Sequence, residues 1–339
     1  MPPRYRSFVR ATVRDVARLA GVSPKTVSNV VTGRVPVRPG TRERVERAVD
    51  ALDYVPNLSA RGLRNGRTGL IVLALPDLST PYSAEMAHHV VNAAARRGWS
   101  VQIEETAGGG RREAELLSKA RAHLVDGLVL NPVLLETSAV QRGVSLPPVV
   151  LIGEVEQPAV DHVWVDNVAA ARAMTTLLVE RGHRRVAVLG VMRSASSRLR
   201  EQGFRQAYAD AGLSVDPTLE IATECWDPAG GYVALRAWLA RHDPPDAIFC
   251  LTDSLALGAL HALREEGLAV PDDVSVVGYD DLPEAAHYSP PLTTVTFDKV
   301  AFAEAVLTRL TLRIAEPDGP VTSSTIDFAL VERSSVRSR

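Results

Sequence analysis

Two sets of side chains in this 339-residue chain have types and spacings that do chemistry. Pro24, Lys25, Ser28 and Asn29 share the outer face of a helical period that starts after Ser23. Lys and Asn beside a helix N-terminus suit base edges in a major groove. The second set follows short apolar runs. Residues 77–82 follow the run 70–75, and Gly153 and Glu154 follow 149–152. Thr252 and Asp253 follow 247–251, and Asp280 and Asp281 follow Tyr279. Arg200 lies on the helix after the run 186–189, and Trp226 precedes Asp227 and Pro228. A carboxylate accepts two hydroxyl donors, an Arg fork donates to several oxygens, and an indole offers a flat apolar wall. Together these groups would suit a small polar molecule.

Catalytic alternatives find no support. The eight histidines form no ligand-spaced cluster, and His183 reads as a structural turn residue, so no metal is expected. Residues 108–110 are three glycines without a following Gly-Lys-Ser/Thr, so they are no phosphate cradle. A Gly-x-Ser-x-Gly elbow is absent. Neither an enzyme nor a cofactor is expected.

The elements that must position these groups fall into two classes. Val13, Val16, Ala17 and Ala20 give a first helix one apolar face. Gly21 permits a tight turn, Ser23 is a good N-cap and Pro24 suits the first helical position. Val27, Val30 and Val31 then face inward, and a third helix over 41–52, begun by Thr41, closes a small core. This is a helix-turn-helix pattern. Charge agrees with it: residues 1–67 carry 14 Lys+Arg and 5 Asp+Glu, a net of +9, while the remainder is −11. A basic patch confined to one small unit marks a phosphate-backbone binder. Residues 1–10 hold Arg4, Arg6 and Arg10 without an apolar run behind them, so they are read as a loose arm and not a secretory signal.

The segment 57–63 begins with a capping residue after Pro56, has small residues at Ser59 and Ala60, and is too short for a stable isolated helix. From the pattern alone it is either a plain linker or a helix formed only in pairs on DNA, with Leu63 wedged between base steps. Polar residues 64–68 mark a boundary. From Gly69 onward apolar strands alternate with helices over 83–97, 112–122, 169–181, 198–211, 229–241 and 255–266. Strands are expected at 70–75, 101–105, 128–130, 149–152, 186–189, 247–251 and 274–277. Continuous apolar strands separated by helices predict parallel sheets covered on both faces, with a ligand cleft at strand C-terminal ends. The residues alone leave other roles open: Asp253 also suits the cap of a helix starting at Ser254, Trp226 a core, and Arg200 a surface.

Residues 12–23, Thr26, Val27 and Ser28, 41–45, 54–57, Ala60, Arg61 and Leu63 together resemble the lactose/galactose repressor family in order and spacing. The resemblance implies a cytoplasmic, nucleoid-associated bacterial transcriptional repressor that works as a homodimer on a pseudo-palindromic operator, with no membrane partner. It implies base reading by Pro24, Lys25 and Asn29, and DNA contacts from Thr12, Ser23, Thr26, Ser28, Asn57 and Ala60, with Leu63 as the wedge. It implies an N-terminal all-α head at 11–56, a hinge helix and linker at 57–68, and an α/β effector domain at 69–332. That domain resembles a periplasmic sugar-binding protein with two doubly wound parallel-sheet subdomains, about 69–167 with 299–325 and about 168–297 with 326–332. The effector contacts implied are Arg200, Trp226 and Asp280, with Thr252, Asp253 and Gly153 beside them and Tyr82 and Phe297 as weaker candidates. Thr252 and Gly153 replace residues common in sugar repressors and leave a different hydrogen-bond set; the resemblance implies a sugar or sugar derivative as effector, with a purine or nucleoside type, or activation in place of repression, as the alternative. A small-molecule enzyme or transport receptor with a helical appendage is the rival, weakened by the missing export signal and catalytic set. No heptad run follows residue 332, so a dimer is expected and not a coiled-coil tetramer. The two cysteines, Cys225 and Cys250, are read as buried reduced thiols.

Overall fold

The computed structural model describes residues 11–32, 35–54, 67–122, 124–134, 136, 138–142 and 146–337. The chain divides into two compact units, before and after the Thr68–Gly69 junction. Among the described residues, no helix is long and apolar enough to cross a membrane.

The first unit holds α1 (Val13–Ala20), α2 (Pro24–Thr32) and α3 (Pro39–Ala51). Thr12 and Asp15 form a reciprocal capping box on α1, which satisfies two otherwise orphaned amides. Gly21 ends the helix at φ +65°, a conformation costly for any residue with a Cβ. Val16, Ala17, Ala20, Val27, Val30, Val45 and Ala48 make the core. Two expectations are corrected here. Val31 is exposed, because the 100° step after Val30 carries it off the inward stripe. Thr41 does not begin α3: Pro39 pre-sets φ two residues earlier, and Thr41 sits in the first turn.

The second unit contains β1 (Leu70–Leu75), α4 (Pro81–Arg96), β2 (Ser100–Glu105), α5 (Gly110–Arg121), β3 (Gly127–Leu130), β4 (Val149–Ile152) and β5 (Asp161–Val165). After these come α6 (Asn167–Glu180), β6 (Val186–Val191), α7 (Ala195–Asp210), β7 (Glu220–Ala222), α8 (Pro228–Leu239), β8 (Ala247–Cys250), α9 (Asp253–Glu265) and β9 (Ser275–Val277). The last elements are β10 (Thr294–Phe297), α10 (Lys299–Ala315), β11 (Ser323–Ile326) and β12 (Phe328–Val331). One six-stranded sheet has the order β11-β5-β4-β3-β1-β2, and a four-stranded one has β7-β6-β8-β9. Every pairing within these two sheets is parallel. β10 and β12 pair antiparallel beside them. The chain thus passes between the two lobes after β5, after β10 and after β11.

The period of two along β1 explains the double-sided cover. Ile71, Leu73 and Leu75 face the core under α4 and α10, while Val72 and Ala74 face Leu116, Leu117 and Ala120 of α5. The second lobe buries Val186 to Leu189, Ile248, Phe249, Phe204 and Tyr208 in a separate core. Five strands escaped the sequence pattern, among them β12, whose partner β10 is itself unexpected. β5 carries Asp161 and His162, and β11 is a polar edge strand. β7 has only three residues, and β10 alternates Thr with apolar residues. Asp161 is buried because Arg313 donates to it at 2.7 Å and the Thr322 amide at 3.0 Å. No local pattern announces partners that distant.

Candidate functional site

In the first unit the Ser23 hydroxyl accepts from the Thr26 amide at 3.1 Å, and the two side-chain oxygens lie 2.9 Å apart. This fixes where α2 begins. Pro24 and Lys25 are exposed on its first turn, and Ser28 and Asn29 are half-buried one turn later. Thr12 is held by its own capping box, with its hydroxyl 2.6 Å from Asp15. Asn57, Ala60 and Leu63 lie outside the described residues. The unit therefore presents a helix N-terminus with a cation and an amide beside it, the arrangement that meets phosphates and base edges.

In the second unit a cavity of about 350 Å³ opens at the C-terminal ends of the strands. Tyr82, Asn131, Glu154, Arg193, Ser196, Arg200, Glu224, Trp226, Thr252 and Asp280 are among its lining residues. Sheet topology places them there: Asn131 follows β3, Glu154 follows β4, Thr252 follows Leu251 at the end of β8, and Tyr82 opens α4 after β1.

Arg200 is the best-held group. Its Nε donates to Asn167 Oδ1 at 2.7 Å, Nη1 donates to the Leu251 carbonyl, and its guanidinium carbon lies 3.5 Å from the centre of the Tyr279 ring. Stacking and a fixed fork make the guanidinium rigid, which a lysine would not be. Asp280 lies 3.7 Å from Arg200, too far for a hydrogen bond, so its carboxylate oxygens remain for the cavity. Its backbone adopts φ +107°, and Asp281 follows at +48°. Two successive residues with a Cβ in this region mark a strained corner. Burial pushes the Asp280 carboxyl up to about 7, with Arg200 and then Lys299 opposing the rise. Burial also keeps the Tyr82 hydroxyl well above its ordinary range, and it stays protonated as a donor.

Trp226 donates its indole N–H to the Gly190 carbonyl at 2.7 Å. Gly190, at φ +114°, is what lets the ring in. A Cβ there would lie 2.4 Å from Leu255 Cδ1 and 3.2 Å from the indole nitrogen. Glu154 accepts from Ser196 at 2.8 Å and from Asn167 at 3.2 Å, which links it to Arg200 through one amide. Five carboxylates (Asp77, Glu154, Glu224, Asp227, Asp280) and two guanidiniums (Arg193, Arg200) line the space. The excess of acceptors favours a ligand rich in hydroxyl or N–H donors over a phosphorylated one.

Three expected contacts stand elsewhere. Asp253 does not line the cavity and does not precede the helix: α9 starts at Asp253, and Thr252 caps it by accepting from the Leu255 amide at 3.3 Å. Asp253 is instead fully buried, accepting from Thr294 Oγ1 at 2.6 Å and from the Leu282 amide at 2.8 Å, and burial next to Asp280 raises it to about 8. It pins the strained corner from below. Phe297 packs in the first-lobe core, its ring 5.7 Å from Phe302. Gly153 contributes space: a Cβ there would lie 2.5 Å from Asn131 Oδ1. Asn131 therefore occupies the volume a larger residue at position 153 would take, and it lines the cavity. The rule that picked out Thr252, ligand groups just past strand ends, also singles out Asn131. Cys225 is exposed beside the cavity, contrary to its reading as a buried thiol, while Cys250 is buried in β8.

A helix-turn-helix head joined to a two-lobed ligand-binding unit defines the class of ligand-controlled DNA-binding proteins. Residues 12–57 match the bacterial regulatory proteins of the lacI family, and residues 175–336 match a periplasmic binding protein-like domain. The chain is 32% identical over 337 residues to the HTH-type transcriptional repressor PurR of Haemophilus influenzae (strain PittEE), covering 97% of this chain and 99% of that protein. It superposes on the lac repressor dimer bound to operator and the anti-inducer ONPF with a TM-score of 0.83 at 29% identity, covering 97% and 99% of the two chains. The transcriptional regulator CelR–cellobiose complex gives 0.72 at 31% identity over 96% and 100%. The chain belongs to the lacI family of DNA-binding transcriptional regulators and is not an enzyme.

Proposed function

We propose that this protein is a cytoplasmic, nucleoid-associated transcriptional repressor. It binds a pseudo-palindromic operator as a homodimer and releases it when a sugar or sugar derivative enters the cavity between the lobes. The observation that carries the proposal is the cavity itself. A rigid Arg200, the open carboxylate of Asp280 and the Trp226 wall sit at strand ends with an excess of acceptors. Hydroxyl groups on the edge of a pyranose match those acceptors, and its apolar face matches the indole. On the DNA side Lys25 and Asn29 discriminate bases, worth about 1–3 kcal/mol per good contact. The remaining head cations attract phosphates, and Leu63 wedges into the minor groove at the operator centre.

A purine-type effector is the second reading, favoured by whole-length similarity to a PurR repressor. Thermal-shift screening of the full chain against monosaccharides, disaccharides and nucleobases separates the two. A shift with sugars alone supports the first reading, and a shift with nucleobases alone replaces it with the second. A gel shift against a selected operator and bulk duplex then tests the DNA arm: equal affinity for both rules out sequence-specific repression.

A further inference from the structure

Lys299 is a buried cation at the start of α10, 7% exposed. Its Nζ lies 3.0 Å from Glu85 Oε2 and donates to the Asp281 main-chain carbonyl at 3.0 Å. Glu85 belongs to α4, whose first turn places Tyr82 and Ser83 in the cavity wall. Asp281 is the second residue of the strained corner that carries Asp280. Lys299 thus contacts both lobes at once, by an ion pair to one and a hydrogen bond to the other.

The other hydrogen bonds and ion pairs that restrain the corner come from its own lobe or the connecting strands, although the Asp280 carboxyl also feels Tyr82 and Glu85 of α4 through space. The Asp280 amide donates to the Val295 carbonyl at 3.0 Å, and Arg333 pairs with the Asp281 carboxylate at 2.7 Å. Asp253 accepts from the Leu282 amide at 2.8 Å. None of these touches α4. A desolvated ammonium held by one carboxylate and one carbonyl is costly unless both partners stay in place. Movement of the corner therefore costs Lys299 either its Asp281 or its Glu85 contact unless α4 follows.

We propose that Lys299 is the positioning residue of the effector site. Through the Asp281 carbonyl it fixes the corner that aims Asp280 into the cavity, and through Glu85 it makes α4 answer to that corner. A ligand that pulls on Asp280 shifts α4, and a shift of α4 changes the aim of Asp280, as reciprocity of coupling requires. The proposal rests on Asp280 being an effector contact.

Hydrogen exchange on the full chain, read by mass spectrometry, tests this without any ligand. Asp280→Asn perturbs the corner, and amides 84–88 of α4 report the response. In the otherwise unaltered chain we expect Asp280→Asn to change their exchange by roughly five- to tenfold, the scale of a lost charge-assisted contact. In the Glu85→Gln/Lys299→Met background, which removes both charges and leaves neither buried alone, the same substitution should leave those amides within about twofold. Equal changes in both backgrounds overturn the proposal, as does no change in either. Failure of the effector reading is separate: it would show as ligand affinity unchanged by Asp280→Asn.

Discussion

Asp280→Asn also tests whether the cavity is maintained at a cost in stability. Burial raises this carboxyl from its ordinary 3.8 to about 7. The folded chain therefore holds the proton more tightly than the unfolded chain. That contribution to stability is fully present below pH 4 and is lost as pH rises through 7. At 1.36 kcal/mol per unit, the loss between pH 5 and pH 8 is about 2–3 kcal/mol. Asn carries no such proton, so the variant gains about 2–3 kcal/mol relative to the native chain over this window. Asp253 titrates with Asp280, and removing the neighbouring charge lowers it, which adds in the same direction. All four tryptophans lie beyond residue 68, so urea unfolding followed by tryptophan fluorescence reports the ligand-binding unit. A native-minus-variant difference that stays flat from pH 5 to 8 would refute the assignment of a buried, proton-holding Asp280. Effector affinity should run the other way, because only the ionised carboxylate accepts two hydroxyl donors: it should fall roughly tenfold from pH 8 to pH 6 and lose that slope in Asp280→Asn.

Gly153→Ala should cost about 1–2 kcal/mol for its φ of +83° and push Asn131 aside, so ligand selectivity changes while the fold persists; an unchanged ligand profile in the thermal-shift screen would remove Asn131 from the site. Gly21→Ala should destabilise the helix-turn-helix unit by about 1 kcal/mol through conformation alone, since nothing lies within 4 Å of the added Cβ; no loss in its thermal unfolding would contradict the left-handed turn. Leu63→Ala should keep weak duplex binding and lose most operator preference in a gel shift; unchanged preference would remove the wedge role.

The head was legible because its signals are local. Gly21, the Ser23 cap and the stripe Val16, Ala17 and Ala20 are each decided within one or two turns. The continuous apolar strands were legible for the same reason. What stayed hidden depends on partners far along the chain. β5 is a strand with a buried Asp161 because Arg313 and Thr322 neutralise it from the other end of the sequence. Asp253 sits at a strand end like a ligand contact, yet the Leu282 amide and Thr294 hydroxyl claim both its oxygens. Asn131 and Gly153 form one site only because neighbouring parallel strands bring them together, and Lys299 reads as an ordinary helix-start cation until Glu85 and Asp281 are seen around it.

The most direct measurement is the operator affinity of the full chain by fluorescence anisotropy, with and without the ligand that the thermal-shift screen selects, for the native protein and for Asp280→Asn. The account predicts that the ligand weakens native operator binding by about 5- to 150-fold, a coupling of roughly 1–3 kcal/mol, and leaves the variant unmoved. A ligand that fills the cavity and leaves native operator affinity unchanged would contradict it.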